Sequence, residues 1–311
     1  MPINVLFAAR DDKWETYQPA LNTAFEQAGL SVDLHCNFDH PEDVDYIVYA
    51  PNGPVTDFTP YTKTKAILSL WAGVENIVTN KTLTQPLARM VDDGLSEGMV
   101  EWVTGHVLRY HLDMDADVCD QSGEWVPHYG PLARERKVAI LGMGALGKAC
   151  ALALKALNFD VIGWSRRPKK INNIPCAHGD DGLKSTLQQA EIVVLLLPKT
   201  AETENLLNAE RISLMHKGAK IINPGRGPLI DDDALLSALN NGQIAHATLD
   251  VFRVEPLPKD HAYWAHPNVT VTPHIAADTR PNTACAVIAE NIQRGEAGQP
   301  FLHLVDRKAG Y

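Results

Sequence analysis

The feature that most constrains this chain is a glycine turn, Gly142-Met143-Gly144-Ala145-Leu146-Gly147. It follows the run Lys137-Val138-Ala139-Ile140-Leu141 and opens an amphipathic stretch reaching 157. GxGxxG between a strand and a helix is the spacing a dinucleotide-binding βαβ unit needs. Gly142 permits the tight turn, Gly144 removes the Cβ that would block a pyrophosphate, and Gly147 lets helix and strand pack closely. The helix start adds unpaired N–H groups and the positive end of the dipole for phosphates. A turn that merely connects two elements is the plainer alternative. The strand on either side of the turn–helix pair argues against it.

Short apolar runs alternate with amphipathic stretches along most of the chain, the signature of an α/β protein with parallel sheets. Strands are expected at 3–8, 30–34, 46–49 and 67–70, with a helix over 14–28 stopped by Gly29. A second series has strands at 137–141, 161–164, 192–197, 219–223, 247–251 and 269–272, the rhythm of a complete doubly wound nucleotide-binding unit. Long helical patterns cover 96–110 and 282–293. The expected organisation is a substrate domain over 1–97 plus 281–311 and a cofactor domain over 98–280.

The chain has 311 residues, 45% of them hydrophobic and 21% charged, enough to bury ordinary cores. With 28 Lys and Arg against 38 Asp and Glu its formal charge is −10. No basic stripe suits nucleic acid, and an anionic ligand would need local cations against the overall field. The five cysteines are scattered, without CxxC. That fits a reducing compartment and neither a disulfide framework nor a zinc site. No segment reads as a signal peptide, and the most apolar run is too short to span a bilayer. A cytoplasmic protein that binds neither membrane nor metal is expected.

The strand after the glycine turn ends Gly163-Trp164-Ser165-Arg166-Arg167. An NAD site usually has Asp or Glu there, about 20 residues past the glycines, to bond the ribose 2′-hydroxyl. Ser165 is neutral, and Arg166 and Arg167 can pair with a 2′-phosphate that a carboxylate would repel. NADP(H) is therefore expected over NAD(H), with a solvated basic loop as the alternative reading.

Three later segments stand at strand ends: Asn223-Pro224-Gly225-Arg226-Gly227, Asp250-Val251-Phe252-Arg253-Val254-Glu255 and Thr272-Pro273-His274-Ile275-Ala276. Reducing a 2-keto acid requires a held carboxylate, a polarised carbonyl and a proton supplied as hydride reaches carbon. A permanently charged guanidinium, Arg226, suits the first two, and the flanking glycines read as room for a ligand. Imidazole, with an ordinary pKa of about 6.5, suits the third at His274. Glu255 would orient the ring and favour its charged form. Each also has a duller reading, as loop, turn or core residue.

At these residues the sequence resembles the D-isomer-specific 2-hydroxyacid dehydrogenase family, and within it the bacterial glyoxylate/hydroxypyruvate reductase A branch. The likeness runs through the glycine turn, LLLPKTAET from Leu195, NPGRGPLIDDDAL from Asn223, DVFRVEPLP from Asp250 and TPHIAA from Thr272, nearly the whole chain. It implies a flavodoxin-like substrate domain beside a Rossmann cofactor domain and a catalytic set of Arg226, Glu255 and His274. It implies that backbone N–H groups of Ala72, Gly73 and Val74 hold the substrate carboxylate, with Trp71 and Arg280 shaping the pocket. Asp250 would bond the nicotinamide carboxamide, and Leu197, Pro198, Pro224, Gly225 and Ala276 would line the cofactor groove. A homodimer is implied, with the segment 121–132, carrying Trp125 and His128, as the arm that reaches the partner.

The expected activity is NADPH-dependent reduction of glyoxylate or hydroxypyruvate, with His274 giving the proton. Two alternatives stand beside it: a dehydrogenase for another small 2-hydroxy acid, and a dinucleotide-sensing binding protein with the fold but no turnover.

Overall fold

The computed structural model describes residues 2–119 and 123–310. In chain order its first elements are β1 (Ile3–Ala8), α1 (Trp14–Gln27), β2 (Val32–His35), β3 (Tyr46–Tyr49), β4 (Ala66–Ser69) and β5 (Leu87–Ala88). Then come α2 (Asp93–His111), α3 (Met114–Cys119), β6 (Lys137–Leu141), α4 (Ala145–Ala156), β7 (Asp160–Ser165), β8 (Cys176–His178) and α5 (Gly179–Gln189). The chain continues through β9 (Ile192–Leu195), α6 (Ala209–Ser213), β10 (Ala219–Asn223), α7 (Asp232–Asn240), β11 (Ile244–Leu249), α8 (Ala262–Ala265), β12 (Val269–Val271) and α9 (Pro281–Glu296). Two compact units result, Met1–Leu95 with Asp278–Tyr311, and Ser96–Ala277.

In the first unit the parallel strands run β2-β1-β3-β4-β5, the flavodoxin-like order. Alternate residues of β1 explain why both faces are covered. Val5 and Phe7 pack on Leu21 and Phe25 of α1 and on Ile288 and Ile292 of α9, whereas Leu6 and Ala8 pack with Ile47, Ile67, Val74 and Ile77.

In the second unit the parallel order is β12-β11-β10-β9-β6-β7-β8, a Rossmann order with one further strand. Val138 and Ile140 face a core that includes Val103 and Val107 of α2 and Leu154 of α4. Ala139 and Leu141 face the opposite core, with Leu187 of α5 and Leu235 of α7. Because β6 lies between β9 and β7, the chain reverses its winding direction there, and the glycine turn emerges at that switch point.

Candidate active site

The second unit sets its chemistry at the carboxyl ends of its strands. Gly142 follows β6, the arginine pair follows β7, Leu197 and Pro198 follow β9, and Pro224 to Arg226 follow β10. Asp250 follows β11 and His274 follows β12. Parallel pairing therefore brings together segments up to about 130 residues apart in sequence, since all leave one sheet edge in the same direction.

The glycine turn has the geometry its spacing predicts. Gly142 has φ +109°, and a Cβ there would lie 2.3 Å from the Leu196 carbonyl oxygen. A Cβ on Gly147 would lie 1.8 Å from the Gly142 oxygen, so that glycine serves strand–helix packing. Gly144 is different: its added Cβ would meet no atom within 4 Å. Gly144 is also the N-cap of α4 and supplies no side-chain cap, leaving the first-turn N–H groups to an external acceptor. These residues fit a bound pyrophosphate.

Beyond β7, Ser165 is buried and its hydroxyl donates to the Arg167 carbonyl, 2.8 Å. Arg166 is ion-paired with Glu202. Sequence reasoning left Lys169 without a role, yet its Nζ donates to the carbonyl of Met143 at 2.6 Å, setting an ammonium on the glycine turn itself. Its place four residues past the strand end was the available signal.

His274 and Glu255 meet as expected. Glu255 Oε2 lies 2.7 Å from His274 Nδ1, and Glu255 Oε1 accepts from the Phe252 N–H at 2.8 Å. A carboxylate at Nδ1 fixes the ring with its proton on that nitrogen, leaving Nε2 as the nitrogen that Glu255 does not hold. The hydrogen bond to Glu255 raises the His274 pKa, and the Glu255 charge adds to it. Burial and the Arg226 charge pull the other way, and Asp250 raises it further. Burial pushes Glu255 up, but the bonds from His274 and Phe252 and the charges of His274 and Arg226 win, and its pKa is lowered. Arg226 is thus within electrostatic reach of both. Its Nη1 donates to the Gly225 carbonyl at 2.7 Å.

Asp250, expected to bond a nicotinamide carboxamide, is wholly buried and holds the histidine's turn. Its Oδ1 accepts from Thr272 Oγ1 at 2.6 Å and Ile275 N–H at 2.9 Å, and its Oδ2 from Ala276 N–H at 2.9 Å. His274 sits at φ +54°, a left-handed conformation costing a non-glycine residue about 1–3 kcal/mol. Its own N–H donates to the Asp250 carbonyl, 2.9 Å.

Asn223, assigned nothing from sequence, is buried and makes the matching brace on the arginine's loop. Its Nδ2 donates to the Arg226 carbonyl at 3.0 Å, and its Oδ1 accepts from Gly225 N–H at 3.1 Å. The glycines beside Arg226, read as room for a ligand, also answer to protein. A Cβ on Gly225 would lie 2.8 Å from the Leu195 oxygen, and one on Gly227 would lie 2.0 Å from the Phe252 carbonyl carbon. Backbone crowding between neighbouring strand ends requires them.

The predicted substrate contacts, Trp71 to Val74 and Arg280, belong to the first unit. Trp71 is 41% exposed, Ala72 and Gly73 are half-buried, and Val74 is core. Thr279 Oγ1 donates to the Leu70 carbonyl at 2.7 Å, bringing the chain next to Arg280 against the chain next to Trp71. Of the segment 121–132, residues 121 and 122 lie outside the described residues. Trp125 and Tyr129 are 96% and 93% exposed. Among the described residues no cluster of three His, Cys, Asp or Glu could hold a metal, and no helix is long and apolar enough to cross a membrane.

Two variants separate the roles of the glycines. Gly147→Ala should lower stability by about 1–3 kcal/mol through overpacking, read in thermal melts. Gly144→Ala, whose Cβ meets no protein atom, should lower the melting temperature less, by no more than the N-cap preference, and weaken dinucleotide binding. Equal melting losses in both would contradict the assignment.

The ion pair sets a pH window. His274's raised pKa lends stability that is complete below the ordinary imidazole value and lost as pH rises through the folded value. Glu255's lowered pKa lends stability present above the ordinary carboxylate value and lost as pH falls through the folded value. Glu255→Gln should therefore move the His274 midpoint to lower pH, measured by NMR titration of the imidazole. An unmoved midpoint would remove Glu255 as the cause.

Comparison with known proteins identifies the family. The family model "D-isomer specific 2-hydroxyacid dehydrogenase, NAD binding domain" matches residues 104–276. A glyoxylate/hydroxypyruvate reductase A of Serratia proteamaculans is 37% identical, covering 95% of this chain and 98% of its own. One from Yersinia enterocolitica is 40% identical, over 79% and 82%. Among solved structures, a D-isomer specific 2-hydroxyacid dehydrogenase of Xanthobacter autotrophicus, in complex with NADPH and MES, superposes with a TM-score of 0.92 at 40% identity, covering all of both chains. An NADPH-dependent glyoxylate/hydroxypyruvate reductase of Sinorhizobium meliloti, in complex with NADP and sulfate, gives 0.87 at 32% identity, covering 100% and 99%.

Proposed function

The chain belongs to the D-isomer-specific 2-hydroxyacid dehydrogenases, and from that premise we propose that it reduces glyoxylate and hydroxypyruvate with NADPH. The observation that carries the chemistry is the 2.7 Å contact between Glu255 and His274 beside Arg226, at the strand ends that also present the glycine turn. NADPH, when bound, supplies the hydride.

The protein's own residues do the rest. Gly144 and the start of α4 receive the pyrophosphate, with Met143, Ala145, Leu146 and Lys169 around it. Arg166 and Arg167 take the 2′-phosphate, for which Arg166 would exchange its Glu202 partner. Leu197, Pro198, Pro224, Gly225 and Ala276 line the groove, and Asp250 keeps the 272–276 turn in place. Arg226 holds and polarises the keto acid. Protonated His274 donates from Nε2 to the carbonyl oxygen as that oxygen gains charge, and Glu255 steadies the imidazolium beforehand and the neutral ring afterwards. The N–H groups of Ala72, Gly73 and Val74, with Trp71 and Arg280, are the proposed contacts for the substrate's carboxylate and for its small size. We place the protein in the cytoplasm on its free cysteines, and as a homodimer on the family resemblance and the exposed aromatics at 125 and 129.

Initial rates with a series of 2-keto acids test the substrate. Glyoxylate and hydroxypyruvate should exceed phenylpyruvate, NADPH should exceed NADH, and the opposite order in either would end that part of the reading. His274→Ala should cost about 10²–10⁴ in turnover with NADPH binding retained. A wild-type protein that binds NADPH and turns over no 2-keto acid would favour a dinucleotide sensor. Light scattering should give twice the chain mass, and Trp125→Asp with Tyr129→Asp should halve it.

A further inference from the structure

Arg253 has no place in the chemistry above, although it stands two residues before Glu255. Its guanidinium leaves that loop and reaches two others. Nη2 donates to the Ile230 carbonyl and to Asn205 Oδ1. Nε lies 3.3 Å from Asp232 Oδ2, and Nη1 lies 3.7 Å from Glu204 Oε1. Ile230 and Asp232 continue the segment that carries Arg226. Asn205 is bound to the same segment, its N–H donating to Pro228 at 2.8 Å, and Asp232 Oδ1 accepts from the Tyr263 hydroxyl at 3.0 Å. The two loops already touch where Gly227 abuts Phe252. Phe252 in turn supplies the N–H that holds Glu255 Oε1.

We propose that Arg253 is a positioning residue, whose guanidinium clamps the 252–255 loop to the 226–232 segment and so keeps the Glu255 carboxylate against His274. Nη2 donates to acceptors on two chain segments while Nε and Nη1 of the same plane lie within ion-pair distance of carboxylates on those segments, a spread that suits a planar fork better than a compact ammonium. Released from these acceptors, the loop keeps the glycine contact and the packing of Phe252 with Leu229 and Ile230, but loses its polar tie near residue 255, and Glu255 gains freedom to leave the ring. The proposal rests on Glu255 being the partner of His274, and its test separates the two claims.

The charges around the pair give opposite predictions for positioning and for simple electrostatics. His274 is faced by Glu255, Arg226 and Asp250. Arg253 is faced by Glu204 and Asp232, with Asp231 and Tyr263 next to Asp232. Deleting one cation without moving Glu255 would nudge the His274 midpoint upward. Losing the clamp would drop it, because the carboxylate that raises it drifts off.

The experiment is imidazole titration by NMR of the full chain saturated with NADP, the His274 signal assigned by its loss in His274→Ala. Wild type, Arg253→Gln, Arg253→Lys, Glu255→Gln and the Arg253→Gln/Glu255→Gln double variant are compared. Arg253→Gln should lower the midpoint by part of the drop that Glu255→Gln gives, and Arg253→Lys should restore only some of it. Adding Arg253→Gln to Glu255→Gln should cause no further drop. In turnover, Arg253→Gln should lower kcat several-fold and leave KM for NADPH unchanged. An unmoved or raised midpoint in Arg253→Gln, or an equal additional drop in the double variant, overturns the proposal. If Glu255→Gln itself leaves His274 unmoved, the Glu255 reading falls first and takes the clamp with it. Should Arg253→Gln fail to fold, Asn205→Ala and Asp232→Asn remove its anchors singly, with the same directions expected and the same results counting against it.

Discussion

The buried carboxylate of Asp250 is the contact on which this site depends. A charge with no exposure to water is costly unless its lone pairs are filled, and here one hydroxyl and two backbone N–H groups fill them. All three donors come from residues 272–276, so the desolvated charge can be satisfied in one conformation of that turn. The same conformation holds His274 in the left-handed region. The strain at the histidine and the burial of the aspartate are therefore two sides of one arrangement. The turn that relaxes the backbone at 274 strips hydrogen bonds from Asp250.

From that anchor the site spreads by backbone contact between neighbouring strand ends. Asn223 braces the arginine's loop from within, Gly227 lets it lie directly on Phe252, and Phe252 steers Glu255 toward the imidazole. No long-range lever is needed. Parallel strands in register deliver three loops to one edge, and small residues let their backbones touch. The proposed reactive groups inherit their spacing from the sheet.

Much of this was legible in the residues. The pattern puts strands at 46–49, 137–141 and 219–223 with the bounds they have, because each is a short, mostly apolar run closed by Pro or Gly within two positions. The sequence pattern puts the eleventh strand at 247–251, and it runs Ile244–Leu249. His246 breaks the apolar pattern inside it, while Asp250 and Val251 prolong the pattern past its end. Edge strand β8 and helix α5 went unread. Cys176–His178 pairs on one side only, so nothing in its composition marks burial on both faces. Arg226, Glu255 and His274, the proposed reactive set, stand out by their chemistry. Asn223, Lys169 and Arg253 do not, because bracing depends on which backbone groups lie within reach, and that is a property of the fold.

Charge explains the remaining economy. A chain of formal charge −10 repels small anions at a distance, so attraction has to be local and fixed. Three cations at the strand ends are engaged by the protein: Arg166 with Glu202, Lys169 with Met143, Arg226 with Gly225. Such groups are already partly desolvated and oriented, and an arriving phosphate or carboxylate meets donors whose side-chain entropy has largely been spent. A bare cluster of lysines would attract anions of every shape. Arginines and a lysine pinned to defined acceptors attract those whose oxygens match the donors, which lets an acidic protein be selective for a small acid and a dinucleotide at one sheet edge.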